Sequence, residues 1–239
     1  MIDQAGRLVA DRFPDARAVL LAGSAAAGCA TATSDLDLAV LVADGGETYR
    51  ETVRFEGRLA ELFVHTEAGL AELFAADAAS RRATMQSMYA TGLLLADPYG
   101  AGARARARAE TDLREGPPAL DRATLETLRY GLTDQVDDLV DARDAVERLV
   151  VAGEVLRAAA DLLCDHHRAW VGGGKWLPRR LLAADRELGT ALLDGHRLVC
   201  GSGPVEPLAA AARRVLELVG GPLAEGYRRT WTGVVRRVV

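Results

Sequence analysis

Residues 20–42 read LLAGSAAAGCATATSDLDLAVLV, apolar at both ends and interrupted by Gly23-Ser24 and by the carboxylates Asp35 and Asp37. The apolar ends predict two short buried strands, Val19 to Ala22 and Leu36 to Val42, with a small-residue turn region between them. Alternate residues of a strand share a face. Asp35 and Asp37 are therefore expected to project together, with Leu36 and Leu38 on the opposite, buried face. Two carboxylates held this close repel and disfavour each other's ionised form. A divalent cation removes that penalty, and oxygen ligands of this type suit Mg2+, which bridges carboxylates and substrate phosphates. Gly23 and Ser24 supply the complementary part. Glycine lets backbone approach a ligand closely, and backbone N–H groups with a serine hydroxyl can hold phosphate oxygens.

Working outward, residues 51–66 (ETVRFEGRLAELFVHT) alternate on both sides of Gly57 and predict a hairpin. Glu61, Phe63 and His65 share one face of its second arm; Leu62, Val64 and Thr66 share the other. A third acid on a strand beside Asp35 and Asp37 completes a two-metal site for phosphoryl or nucleotidyl transfer. Glu61 is the first choice and Glu56 the second. His65 shares the Glu61 face, either bordering the site or packed in the sheet. Residues 69–95 read as helix, broken by ADPYGAG at 96–102.

After residue 100 the strand signals stop. Residues 103–118 read as a charged, Ala-rich helix and a link closed by Pro117-Pro118. Asp121 is placed to cap the next helix, in which Leu125, Leu128, Leu132, Val136 and Leu139 form one apolar face. Long helical patterns follow at 144–170, 179–194 and 205–219, the first interrupted by VGGGKWLPR and the last ended by Gly220-Gly221. The expected fold class is α+β, with a small mixed-sheet domain at 1–100 and an α-helical bundle domain at 101–239.

Of 239 residues, 49% are hydrophobic and 26% charged, which suits a globular chain with a real core. No apolar run reaches the ~18 residues of a membrane span, and the N-terminus lacks an apolar signal core, so cytoplasmic residence without membrane partners is expected. Cys29, Cys164 and Cys200 show no CxxC spacing and read as reduced thiols. The net charge of −5 disfavours a long nucleic acid as partner and favours a small or cationic substrate. Lys175 is the only Lys in the chain.

Gly-Ser, ten residues, Asp-x-Asp and then an acid on a later strand resembles the DNA polymerase β-type nucleotidyltransferases over residues 18–66. A small N-terminal catalytic domain followed by a helical one is similar to the aminoglycoside adenylyltransferases. The resemblance implies a short mixed sheet flanked by helices, two Mg2+ ions, ATP or another NTP as donor, and pyrophosphate release. It implies that Gly23 and Ser24 meet the triphosphate, that Asp35, Asp37 and Glu61 bind metal, and that Glu61 serves as general base. It also places a phosphate-binding Lys in the helical domain, here Lys175 within GGGKW, which otherwise reads as a flexible turn. The acceptor is expected to be a small-molecule hydroxyl, aminoglycoside-like and cationic, and the chain a monomer or homodimer. Rival readings are a protein-modifying, antitoxin-like nucleotidyltransferase and a nucleotide-sensing module without turnover.

Asp134, Asp137, Asp138 and Asp141 form a helical stripe, a solvated face or a docking surface for a polycation. Glu154 and Asp161 are alternative general bases, with bundle-surface ion pairs as the default. Trp176 is expected as a core anchor, and His166 and His167 as structural.

Overall fold

The computed structural model describes residues 1–230, so positions 231–239 of the expected helical domain lie outside the described residues. The chain divides into two compact units, Met1–Pro118 and Ala119–Val239. The first contains α1 (Ile2–Arg12), β1 (Ala18–Ala22), the one-turn α2 (Gly23–Ala26), β2 (Leu36–Leu41), β3 (Tyr49–Phe55) and β4 (Arg58–His65). It continues with α3 (Glu67–Ser80), α4 (Thr84–Thr91), β5 (Leu93–Ala96) and α5 (Ala101–Glu115). The strands form one mixed sheet in the order β3-β4-β2-β1-β5. The β2–β4 pairing is parallel, and β1–β2, β1–β5 and β3–β4 are antiparallel.

Strand alternation sorts the side chains into two cores. Val19, Leu21, Leu36, Leu38, Val40, Leu62 and Val64 pack with Ala5, Leu8 and Val9 of α1. Ala18, Leu20, Ala39 and Leu41 pack with Leu70, Phe74, Met85 and Tyr89 of α3 and α4 and with Ala101 and Ala109 of α5. Both faces of the central strands are thereby covered, which explains why β1 is buried along its whole length.

Where residues 69–95 were expected as one helix, the chain makes α3, α4 and β5. Arg81 and Ala83 adopt left-handed backbone (φ 61° and 55°), which ends α3 and re-aims the chain. A Cβ on Gly92 would lie 2.6 Å from the Met88 carbonyl and 3.2 Å from Leu20 Cβ, so α4 stops there against β1. Leu93–Ala96 then pairs with β1 as an edge strand. A short apolar run looks the same as a strand or as a helix end, so periodicity could not separate them. Helix α5 belongs to the first unit, whereas the expected boundary fell at residue 100. Arg106 ties it there by donating to the Tyr89 and Gly92 carbonyls.

The second unit is helical: α6 (Arg122–Asp141), α7 (Ala145–His166), α8 (Trp176–Ala184), α9 (Arg186–Cys200) and α10 (Glu206–Leu218). Asp121 and Asp144 accept backbone N–H groups at the starts of α6 and α7. The helix expected at 179–194 is two, because Asp185 leaves helical geometry and caps α9 through the Leu188 N–H at 2.9 Å. Leu132, Val136 and Leu139 of α6 meet Val155, Leu162 and Leu163 of α7, Leu192 of α9 and Leu208 and Val215 of α10 in one core. Among the described residues no helix is long and apolar enough to cross a membrane.

The β3–β4 hairpin carries Glu61 and turns through Glu56 and Gly57, both left-handed (φ 46° and 81°), the two-residue loop that matches strand twist. Gly57→Ala places a Cβ in that conformation and is expected to cost about 1 kcal/mol, read as a lowered urea midpoint.

Candidate active site

Parallel pairing of β2 with β4 sets Asp37 directly opposite Glu61. Register partners share a face, so both carboxylates stand on the side of the sheet that carries α3–α5. Asp35 lies one residue ahead of β2 instead of inside it. Arg58, at the start of β4, donates to the Ser34 carbonyl and tethers that approach to the strand. Asp35, Asp37 and Glu61 offer carboxylate oxygens that all lie within 4.8 Å of one another, each residue half-buried.

Gly23 forms the adjacent wall. Its neighbour Ala22 pairs with Asp37 across β1–β2. Gly23 has φ +64°, and a Cβ there would sit 2.0 Å from Asp37 Oδ2. The left-handed backbone disfavours a side chain, and a Cβ could enter only by displacing the carboxylate. Ser24 follows, half-buried in α2, and its carbonyl accepts the Cys29 N–H at 3.1 Å. The donor set fits hard divalent cations such as Mg2+: three carboxylates, oxygen ligands only, in one small space. Asp35, Asp37 and Glu61 are the residues that would hold them.

Two arginines of this region escaped the sequence reading. Arg50 of β3 donates to Glu61 Oε2 at 2.7 Å. Its guanidinium carbon lies 4.9 Å from the Phe63 ring centroid. Arg50 pairs in register with Phe63, and Thr52 with Glu61, so Arg50 reaches Glu61 along the diagonal. The alternation of residues 49–55 carried that signal, but only once the register was known. Arg58 carried none, because its partner is a backbone carbonyl.

Glu56, the second choice for the third acid, sits in the turn and is gripped by Arg7 through two hydrogen bonds of 2.9 and 2.6 Å. That hydrogen-bonded partner holds its carboxyl below the usual carboxylate range. His65 ends β4 at 2% exposure, packed toward Tyr89 with ring centroids 6.3 Å apart. Burial lowers its pKa to about 4 and pushes the Tyr89 phenol up.

Lys175 belongs to the second unit, exposed at the start of α8. The glycines before it have structural duties. A Cβ on Gly172 would lie 2.4 Å from the Trp176 backbone, and Gly174 has φ +51°. Arg157 fixes the loop by donating to the Gly172 carbonyl at 2.8 Å. Trp176 is not the expected core anchor: it is 46% exposed, with Arg179 over its ring at 4.9 Å. α8 buries Leu181, leaving the indole outward. Asp134, Asp137, Asp138 and Asp141 are all exposed. Glu154 and Asp161 line an open groove of about 480 Å³ with Leu128, Gln135 and Val150.

No protein-family model matches the chain, and no curated protein matches it. Among solved structures it is similar to the crystal structure of a nucleotidyltransferase-like protein from Exiguobacterium sibiricum 255-15. The two are 13% identical with a TM-score of 0.47, over 92% of this chain and 74% of that one. That likeness assigns no activity to this chain.

Gly23→Ala is expected to displace the Asp37 carboxylate, weakening Mn2+ binding in calorimetry more than tenfold while the far-UV spectrum is kept. His65 gives a pH signature. The unfolded imidazole protonates below its ordinary 6.5, the folded one only near 4. Stability is therefore lost as pH falls from 6.5 to 4 and levels off below, by up to about 3 kcal/mol. His65→Leu should remove that part of the slope in urea titrations run across this range.

Proposed function

We propose that the chain is a Mg2+-dependent nucleotidyltransferase that moves a nucleoside monophosphate, AMP from ATP, to a hydroxyl of a small acceptor. The observation that carries this reading is the convergence of Asp35, Asp37 and Glu61 within 4.8 Å beside a glycine where a Cβ would meet the Asp37 carboxylate. Carboxylates gathered this closely repel one another, and a divalent cation offsets that repulsion. When bound, divalent cations would neutralise charge that develops around the α-phosphate.

The chain's own groups divide the remaining work. Asp35 and Asp37 hold and orient the cation positions. The Ser24 hydroxyl and the backbone beside Gly23 are the proposed contacts of the triphosphate. Glu61 accepts the proton of the acceptor hydroxyl. The acceptor oxygen forms a bond to the α-phosphorus, the bond from that phosphorus to the bridging oxygen breaks, and pyrophosphate leaves. Lys175 is proposed as a further phosphate contact on the strength of the sequence resemblance. The net charge of −5 favours a cationic acceptor, aminoglycoside-like, over a nucleic acid.

Pyrophosphate release with ATP and a panel of hydroxyl acceptors tests the reading; mass spectrometry of the acceptor identifies the transferred group. Asp35→Asn, Asp37→Asn and Glu61→Gln should each cut turnover at least a hundredfold with little change in melting temperature, and Glu56→Gln should leave it near wild type. Turnover in Asp37→Asn would remove the site assignment. Adenylylation of a protein instead of a small molecule favours the antitoxin-like reading, and nucleotide binding without turnover the sensing one. Lys175→Ala should weaken Mg·ATP binding roughly ten- to a hundredfold in calorimetry, the size of one charge-assisted hydrogen bond.

A further inference from the structure

The ion pair on Glu61 points to a function for Arg50 beyond holding a sheet edge. Its side chain is 60% exposed and that of Glu61 23%. Exposed pairs contribute little to stability, so the fold does not depend on it. Its placement is nevertheless well defined. The guanidinium rests on Phe63 at 4.9 Å and reaches the carboxylate diagonally across β3–β4. The neighbouring arginines of the hairpin are committed elsewhere, Arg54 to the Gly57 carbonyl at 3.0 Å and Arg58 to the Ser34 carbonyl. Arg50 thus offsets part of the charge that three converging carboxylates accumulate.

A divalent cation and a guanidinium compete for the same carboxylate oxygens and repel each other. A cation drawn in by Asp35, Asp37 and Glu61 loosens Arg50 from Glu61. The released guanidinium stays at the rim of the site, tethered to a strand and backed by an aromatic ring. A planar fork of N–H donors held there suits a phosphate group. We propose that Arg50 is an exchange residue: counter-ion to Glu61 before the cation binds, and ligand of the substrate's phosphate chain afterwards. This rests on the nucleotidyltransferase reading of the triad and adds to it both an anion-binding residue and an order of events, cation before nucleotide.

The two roles predict opposite signs for one substitution. Arg50→Gln removes the competitor, so Mn2+ alone, followed by electron paramagnetic resonance, should bind about two- to fivefold more tightly. The same variant loses a phosphate ligand, so an α,β-methylene ATP analogue with saturating Mn2+ should bind about tenfold more weakly. Arg50→Lys should recover part of the analogue affinity. An unchanged or weaker Mn2+ affinity in Arg50→Gln, or an unchanged analogue affinity, overturns the exchange while leaving the triad intact. Asp37→Asn separates the two levels. If wild type binds no Mn2+, or Asp37→Asn binds it equally well, the cation site itself falls and the exchange falls with it.

Discussion

The first unit depends on one pairing, the parallel contact of β2 with β4. It brings Asp37 opposite Glu61 and sets Leu38 and Val40 beside Leu62 and Val64 on the other face. The same register therefore builds the α1-side core and assembles the acids. A slip of one residue would turn the acids into that core and the leucines out of it. Burial of the apolar set thus holds the carboxylates together against their repulsion. The side chain that Gly23 lacks fits the same constraint, since β1 delivers the chain onto Asp37 with no room for a Cβ.

Much of this was legible before any coordinates. The strands at 19–22 and 36–42 follow from short apolar runs on either side of a small-residue turn region, and the hairpin around Gly57 from alternation. Asp121 as a cap and the leucine face of α6 follow from helical spacing. The Asp-x-Asp spacing after Gly-Ser marks Asp35 and Asp37, a following strand and its face mark Glu61, and the structure brings those three together. Parity worked because strand geometry leaves a side chain only two directions.

What was not legible has physical reasons. β5 hid inside a helical run because LLLA has neither length nor alternation to mark it. The break between α3 and α4 depends on left-handed backbone at Arg81 and Ala83, residues that rarely adopt it. Trp176 was expected inside because it is large and apolar; which side of a short helix faces a core is decided by its neighbours. Arg50 needed the β3–β4 register, and Arg58 bonds to a carbonyl, which no side-chain pattern records.

The strand order also bears on how the chain assembles. Glu61 and Arg50 lie on the two arms of one hairpin, whereas Glu61 and Asp37 are brought together across the excursion that contains β3. Closing the short loop costs less entropy and is faster than closing the long one. The carboxylate's positive partner is thus near in sequence and its aspartate neighbour far. In the assembled sheet Arg50 offsets part of the charge that Glu61 sets beside Asp37. The charge on the acid-bearing strand is thus balanced from within its own hairpin, the shortest piece of chain that holds both groups.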